Sequence, residues 1–248
     1  MKCIPAHSWV FPLLFAAAIM GLPVLGIAAT AAQYGPLYAN LGGEVVLDNP
    51  RVFVQKFIVS PGQSTGLRAL PGDQLQIFIK GGVLTSVVGR STLWRDGRVV
   101  WHGAGENADA GGTNTGSTPI EMIWVTLKPV APSSAAAAGS AGPKSHYLNY
   151  PNIPGEDLLE NDLVIVQRFT VNPGQWEGVH AHDPDMLYIH IKGGQWAVRS
   201  KHEPEHAYPA PSPDGKVGWE PTIDISEGHE SGNIGKDPID LIWVTLKK

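Results

Sequence analysis

The chain has 248 residues, with 18 Lys and Arg against 23 Asp and Glu and a formal net charge of −5. It carries no basic stripe or Lys/Arg cluster, which argues against nucleic acid as a partner. Tryptophan, glycine and proline are plentiful (8, 29 and 21 residues), a composition that suits a turn-rich β protein better than a helical one.

The N-terminus reads as a secretory signal peptide over residues 1–32. Lys2 supplies a basic start, an apolar run follows, and "AATAAQ" offers the small residues of a cleavage site. The apolar run approaches membrane-spanning length, so an uncleaved anchor is the alternative reading. Cleavage would leave about 215 residues, enough for one large β domain or two small ones. The only cysteine, Cys3, lies in the signal, so the mature chain would have neither disulfide nor thiol ligand. Export to a periplasm or the medium is expected, with no membrane association after signal removal.

The next element in chain order is the first half of an internal repeat. Tyr38–Gly82 aligns without a gap with Tyr150–Gly194, and "NTGSTPIEMIWVTLK" (114–128) with "NIGKDPIDLIWVTLK" (233–247). Roughly half of the aligned positions are identical. The copies span 38–128 and 150–248, and the Ala, Ser, Gly and Pro of 129–146 read as a linker between them. Each copy is written in strands. "VFVQKFIV", "DQLQIFIKGG" and "IEMIWVTLK" are rich in β-branched and aromatic residues, and "SPGQ" and "NPGQ" are turn signals. No long helical pattern appears outside the signal.

The copies differ where chemistry is possible. The second has "HAH" at 180–182, and the first has "RAL" at 68–70. Side chains two apart on an extended strand share a face, so His180 and His182 would lie side by side. In the strand after "DPD", Met186, Tyr188 and His190 would share one face, and Leu187, Ile189 and Ile191 the other. Two imidazoles chelate a divalent metal if a third ligand arrives, and His229 in "SEGHESGN" is the candidate.

These residues resemble the motifs of the cupin superfamily. Gly174, His180, His182, Met186 and Gly193 stand at the spacings of its first motif, and Gly218, His229 and Asn233 at those of its second. The resemblance covers the whole mature chain and implies a bicupin: all-β, two tandem double-stranded β-helix barrels of the jelly-roll kind. It implies that His180, His182 and His229 converge on one metal ion inside the C-terminal barrel. Two barrels in one chain, with a possible homodimer, are implied as well. The family's usual glutamate ligand is Met186 here, and Asp224 and Ser226 replace a proline and a glycine of the second motif. In the first copy Arg68, Leu70 and Ala110 replace the histidines and Gln74 stands at the glutamate position, so that barrel is expected to hold no metal.

Three neutral imidazoles suit Fe, Cu, Ni and Zn. Fe or Cu is favoured as cofactor, with Zn, Ni or Mn as alternatives. Met186 is read as an apolar wall, with a soft thioether ligand as the other possibility. His190, which replaces Phe78, and Tyr188 are candidate proton-handling groups, against a reading as satisfied interior residues. Trp176 and Trp196 have no tryptophan counterpart in the first copy, which makes them pocket candidates together with Asn233. Trp101 pairs with Trp219 and Trp124 with Trp243, which favours structure. Arg199 is the nearest cation to the motif and could meet an anionic substrate. Asp185 should turn away by strand parity, while Glu227 shares the parity of His229 if that segment is extended. His202 and His206 read as surface residues of a proline-rich loop.

The expected function is a dioxygenase-like metal oxidoreductase acting on a small oxygenated molecule. A non-redox metal-dependent isomerase or lyase and a non-catalytic small-molecule-binding protein are the alternatives.

Overall fold

The computed structural model describes residues 35, 37–38, 40–106, 111–129 and 146–247. The signal segment 1–32, most of the linker and Ala110 lie outside the described residues.

The repeat is a repeat of topology. The first copy contains β1 (Glu44–Asp48), β2 (Val52–Val59), β3 (Gln74–Lys80), β4 (Gly82–Ser86), β5 (Ser91–Trp94), β6 (Val99–His102), β7 (Gly112–Asn114) and β8 (Ile120–Leu127). The second repeats them as β9 (Glu156–Glu160), β10 (Val164–Val171), β11 (Met186–Lys192), β12 (Trp196–Arg199), β13 (His206–Ala207), β14 (Val217–Glu220), β15 (Glu230–Asn233) and β16 (Ile239–Leu246). In each copy a five-stranded sheet faces a three-stranded one. The sheet orders are β1-β2-β8-β3-β6 with β5-β4-β7, and β9-β10-β16-β11-β14 with β13-β12-β15. All of the strand pairings described are antiparallel.

The central strands read as continuous apolar runs because both of their faces are buried. Leu75, Ile77, Ile79, Ile123 and Val125 of the first copy pack with Leu187, Ile189, Ile191, Ile242 and Val244 of the second in one cluster. The two five-stranded sheets therefore bury one face against each other, and this interface is the largest hydrophobic core of the molecule. The alternate residues face inward, into each barrel's own interior. Phe78, Met122 and Trp124 lie there in the first barrel, and Met186, Leu241 and Trp243, with half-buried Tyr188, in the second. The parity expected along β11 is the parity observed. Among the described residues one ion pair joins the copies at their edges, Arg51 with Asp185. Asp185 has φ 63°, the only positive φ of a non-glycine residue among those described. Its side chain points to Arg51 and away from the site.

The paired glycines exist because two backbones touch. A Cβ on Gly81 would stand 2.2 Å from the carbonyl oxygen of Trp94, and one on Gly193 would stand 1.9 Å from that of Ser212. These contacts fasten the end of β3, and of β11, to the segment that crosses it. Replacing Gly193 by Ala should force backbone apart and cost about 1–3 kcal/mol, read as a fall in the denaturant midpoint at unchanged slope.

Candidate metal centre

Backbone register brings the histidines together. The segment after β10 runs beside β15, with Gly174 N–H donating to Asn233 O (2.7 Å), Glu177 N–H to Ser231 O (2.9 Å) and His180 N–H to His229 O (3.1 Å). His182 exchanges two backbone bonds with Ile223, at 2.9 and 3.1 Å. Between Ile223 and His229 the chain makes one 3-10 turn, Ile225–Glu227, capped by the Asp224 side chain and closed by Gly228 in the left-handed region. That turn returns His229 to the ladder. It also removes Glu227 from the extended parity expected of it: Glu227 lies toward His202, 3.8 Å away.

The ligand-capable nitrogens of His180, His182 and His229 all lie within 4.8 Å of one another. Among the described residues this is the one such group of His, Cys, Asp and Glu. His180 and His182 are buried, and their Nε2 atoms are 2.7 Å apart. His180 Nδ1 donates to Gly178 O at 2.8 Å. A carbonyl oxygen only accepts, so the proton sits on Nδ1, and the Nε2 lone pair, which faces His182 Nε2, is the one that can bind a cation. Burial lowers the pKa of His180 to about 4 and that of His182 to about 3, and it lowers that of His229 as well. All three imidazoles are therefore neutral at pH 7, the form in which they ligate. Two nitrogens bound to one ion at about 2.0–2.1 Å each stand about 3 Å apart, so a small opening of the pair admits the ion. The donor set fits a divalent transition metal.

A cavity of about 70 Å³ adjoins this cluster, room for a few waters or a small organic molecule. His182, His229, Tyr188, His190, Trp196 and Trp243 line it, as do Glu177, Glu220, Lys216 and Tyr208. Trp243 stands edge-on to His182 with ring centroids 5.0 Å apart. Tyr188 has its pKa raised to about 12 by burial, so it keeps its proton. Its ring opposes Gly218, where a Cβ would come within 2.3 Å of it. Glu177 is buried, and burial raises its pKa to about 8 against the hydrogen bonds of Tyr150 and Ser231.

The other expected pocket residues lie elsewhere. Asn233 is a structural pin: Nδ2 donates to Val171 O and Asp237 O, both at 2.8 Å, and Oδ1 accepts from Gly235 N–H at 2.9 Å. Asn114 does the same in the first barrel, donating to Val59 O and Thr118 O. Its polar atoms are thus consumed in both copies whether or not histidines are present. Trp176 bridges to Gly232 and carries the Arg199 guanidinium over its ring at 4.0 Å, outside the cavity. Arg199 pairs with Glu230 at 2.7 Å and is not the cavity's cation; Lys216 is. Met186 is buried beside His180 and lines a separate recess with Leu148 and Ile225. His202 and His206 are exposed.

Sequence reasoning missed Glu177, Glu220, Lys216 and Tyr208. A signal for the first was present: Glu177 aligns with Thr65, so it accompanies the histidines and is missing from the copy without them.

In the first barrel the aligned positions hold a different arrangement. Arg68 is 3 % exposed and donates to Gln74 Oε1 at 2.9 Å. Its guanidinium lies 3.1 Å from His102 Nδ1 and 4.7 Å from the centre of the Trp124 ring. A fixed cation occupies the interior there, bonded and stacked.

No family model and no curated protein sequence matches the chain. Among solved structures it is similar to a salicylate 1,2-dioxygenase from Pseudaminobacter salicylatoxidans, at 9% identity and TM-score 0.51, over 89% of this chain and 80% of that one. It is also similar to the protein YhaK from Escherichia coli, at 15% identity and TM-score 0.50, over 86% and 96%. A Cupin 2 conserved barrel domain protein from Leptotrichia buccalis aligns at 10% identity and TM-score 0.49, over 85% and 90%. At such identities the likeness is one of fold. The fold is that of the cupin superfamily in tandem, two double-stranded β-helix barrels in one chain. Within it, the three-histidine cluster belongs to the second barrel.

His190 gives a test of the cavity's dryness. It is buried, its Nδ1 has no partner, and burial, then Lys216, lowers its pKa to about 4, with Asp214 opposing. Tyr188, Trp196, Tyr208 and Glu220 line the same space. The unfolded chain takes up a proton near pH 6.5 and the folded chain does so only near 4, so stability falls as pH drops through that window. In metal-free protein His190→Phe, the first copy's residue, should remove on the order of 2 kcal/mol of the loss between pH 7 and pH 5. Denaturant titrations at the two pH values measure it, and an equal loss in both proteins would show that the site is wet.

Proposed function

We propose that this is an exported bicupin whose C-terminal barrel holds one divalent metal ion on His180, His182 and His229 and catalyses a dioxygenase-like oxidation of a small oxygenated organic molecule. The observation that carries the reading is the convergence of three neutral imidazoles, two of which, His182 and His229, line one small cavity. The salicylate 1,2-dioxygenase that shares the fold supports the class of chemistry by analogy only.

Fe or Cu, when bound, supplies a Lewis acid and an electron conduit between substrate and dioxygen. The protein's own part is positioning and proton control. Trp196, Trp243 and Leu241 offer apolar surface to the substrate. Tyr188 holds its proton and can donate a hydrogen bond to a substrate oxygen. His190, neutral and with an unpartnered Nδ1, can accept or return a proton beside it. Lys216, whose Nζ stands 5.8 Å from the Tyr188 ring and 5.9 Å from that of Tyr208, gives the mouth a positive charge. The first barrel, with Arg68 in its interior, serves the inter-barrel core and holds no metal.

Elemental analysis of mature protein should find Fe or Cu close to one per chain, and none in the His180→Ala/His182→Ala variant. Oxygen electrode assays on a panel of small hydroxylated acids and ketones should then show uptake that the variant lacks. Zn or Ni in the site with no oxygen uptake would move the reaction to the non-redox class. Equal metal content in both proteins would refute the site.

A further inference from the structure

The usual cupin glutamate ligand is absent at Met186, and Met186 lies in a recess away from the cavity. A different carboxylate is present. Glu177, three residues before His180, is 2 % exposed and lines the cavity with His182 and His229. Its Oε2 is 4.0 Å from His180 Nε2, the nitrogen that faces His182 Nε2 at 2.7 Å, and it stands just outside the group of three histidines, so it joins them by swinging inward. No Lys or Arg pairs with it among the described residues, whereas nearby Glu230 pairs with Arg199 at 2.7 Å.

A carboxyl this deep is costly to ionise unless it is paired, hydrogen-bonded or bound to a metal. Tyr150 and Ser231 lie beside it and oppose the effect of burial on its pKa, where groups that orient a metal ligand would stand. Backbone register fixes it as well, because Glu177 N–H donates to Ser231 O two residues from His229. The aligned residue of the first copy is Thr65, whose hydroxyl is spent locally on Gly66 O and Gly112 N–H. The carboxylate thus occurs in the barrel that has the histidines and not in the one that has Arg68.

We infer that Glu177 is the fourth protein ligand of the metal, a carboxylate delivered from the N-terminal side of the histidine pair in place of the one that position 186 lacks. The inference rests on the metal-site reading above and refines it. Three imidazoles and one carboxylate leave a divalent ion with a net charge of +1, and an oxygen ligand favours Fe(II) or Mn(II) over Cu(I).

The test uses the full mature chain, stripped of metal and titrated with Zn(II) against a chelator, as wild type and as Glu177→Gln. The amide keeps the size and the hydrogen bonds of the carboxylate, and unchanged circular dichroism of the metal-free variant checks folding. Zn(II) affinity should fall at least tenfold in the variant, and the Cu(II)-loaded proteins should differ in their electron paramagnetic resonance hyperfine splitting. A second measurement needs no variant. Zn(II)-induced difference infrared spectra of the wild type should show a buried carboxyl becoming a coordinated carboxylate. Affinity within twofold and identical Cu(II) spectra would overturn the inference while leaving the three-histidine site intact, as would a wild-type infrared spectrum without a carboxylate change. Failure of the wild type to bind any metal would bring down the site reading and this inference with it.

Discussion

The structure depends on sheets that are buried on both faces. Each five-stranded sheet presents one face to the other copy and one to its own barrel. A strand residue therefore has two destinations, and the pleat's period of two assigns them along the central strands. Along β11, Leu187, Ile189 and Ile191 hold the copies together while Met186, Tyr188 and His190 turn inward. A slip of one residue would put His190 into the inter-barrel core and Ile189 into the cavity. The inter-barrel core thus fixes the register on which the site depends, and the first barrel contributes to function by supplying half of that core.

The same fold resolves the interior of its two barrels in opposite ways. A barrel interior strips water from any polar group placed in it, and that cost must be met locally. In the first barrel Arg68 is a permanent cation satisfied by Gln74, His102 and the face of Trp124. In the second, the aligned His180 gives up its charge instead. Burial holds His180, His182 and His229 neutral, which turns a desolvation cost into a set of lone pairs suited to a cation. Trp124 and Trp243 are identical in sequence position, yet one stacks under a guanidinium and the other stands edge-on to an imidazole. Histidines in place of Arg68, Leu70 and Ala110 change what the barrel can hold.

Much of this was legible in the sequence, for a definite reason. Duplication and strand parity are local properties, so the copies, the strand faces and the approach of His180 and His182 could be read from spacing. His229 needed the resemblance to a known motif, because the turn at Ile225–Glu227 that returns it cannot be derived from parity, and the same turn misplaces Glu227. Trp176 is a pocket candidate in the sequence because the first copy has Ser64 there, and Asn233 because it stands at the spacing of the second motif. The structure shows Asn233 closing a loop through three backbone bonds, the bonds Asn114 makes, and that shared role explains why both copies keep it. Trp176 fails for a steric reason: it covers Gly232 on the far side of the ladder. Lys216, Glu220 and Tyr208 reach the cavity through β14 and the proline-rich loop before it, a contact that no periodicity encodes.

The central claim is that one fold, written twice, holds a metal ion in one barrel and a guanidinium in the other. Anomalous diffraction at the metal edge, from crystals of the mature chain grown with Fe(II) or Zn(II), tests it most directly. The account predicts one strong peak per chain, bounded by His180, His182 and His229, and no peak beside Arg68. A featureless C-terminal barrel, or a peak of equal height in the N-terminal one, would contradict it.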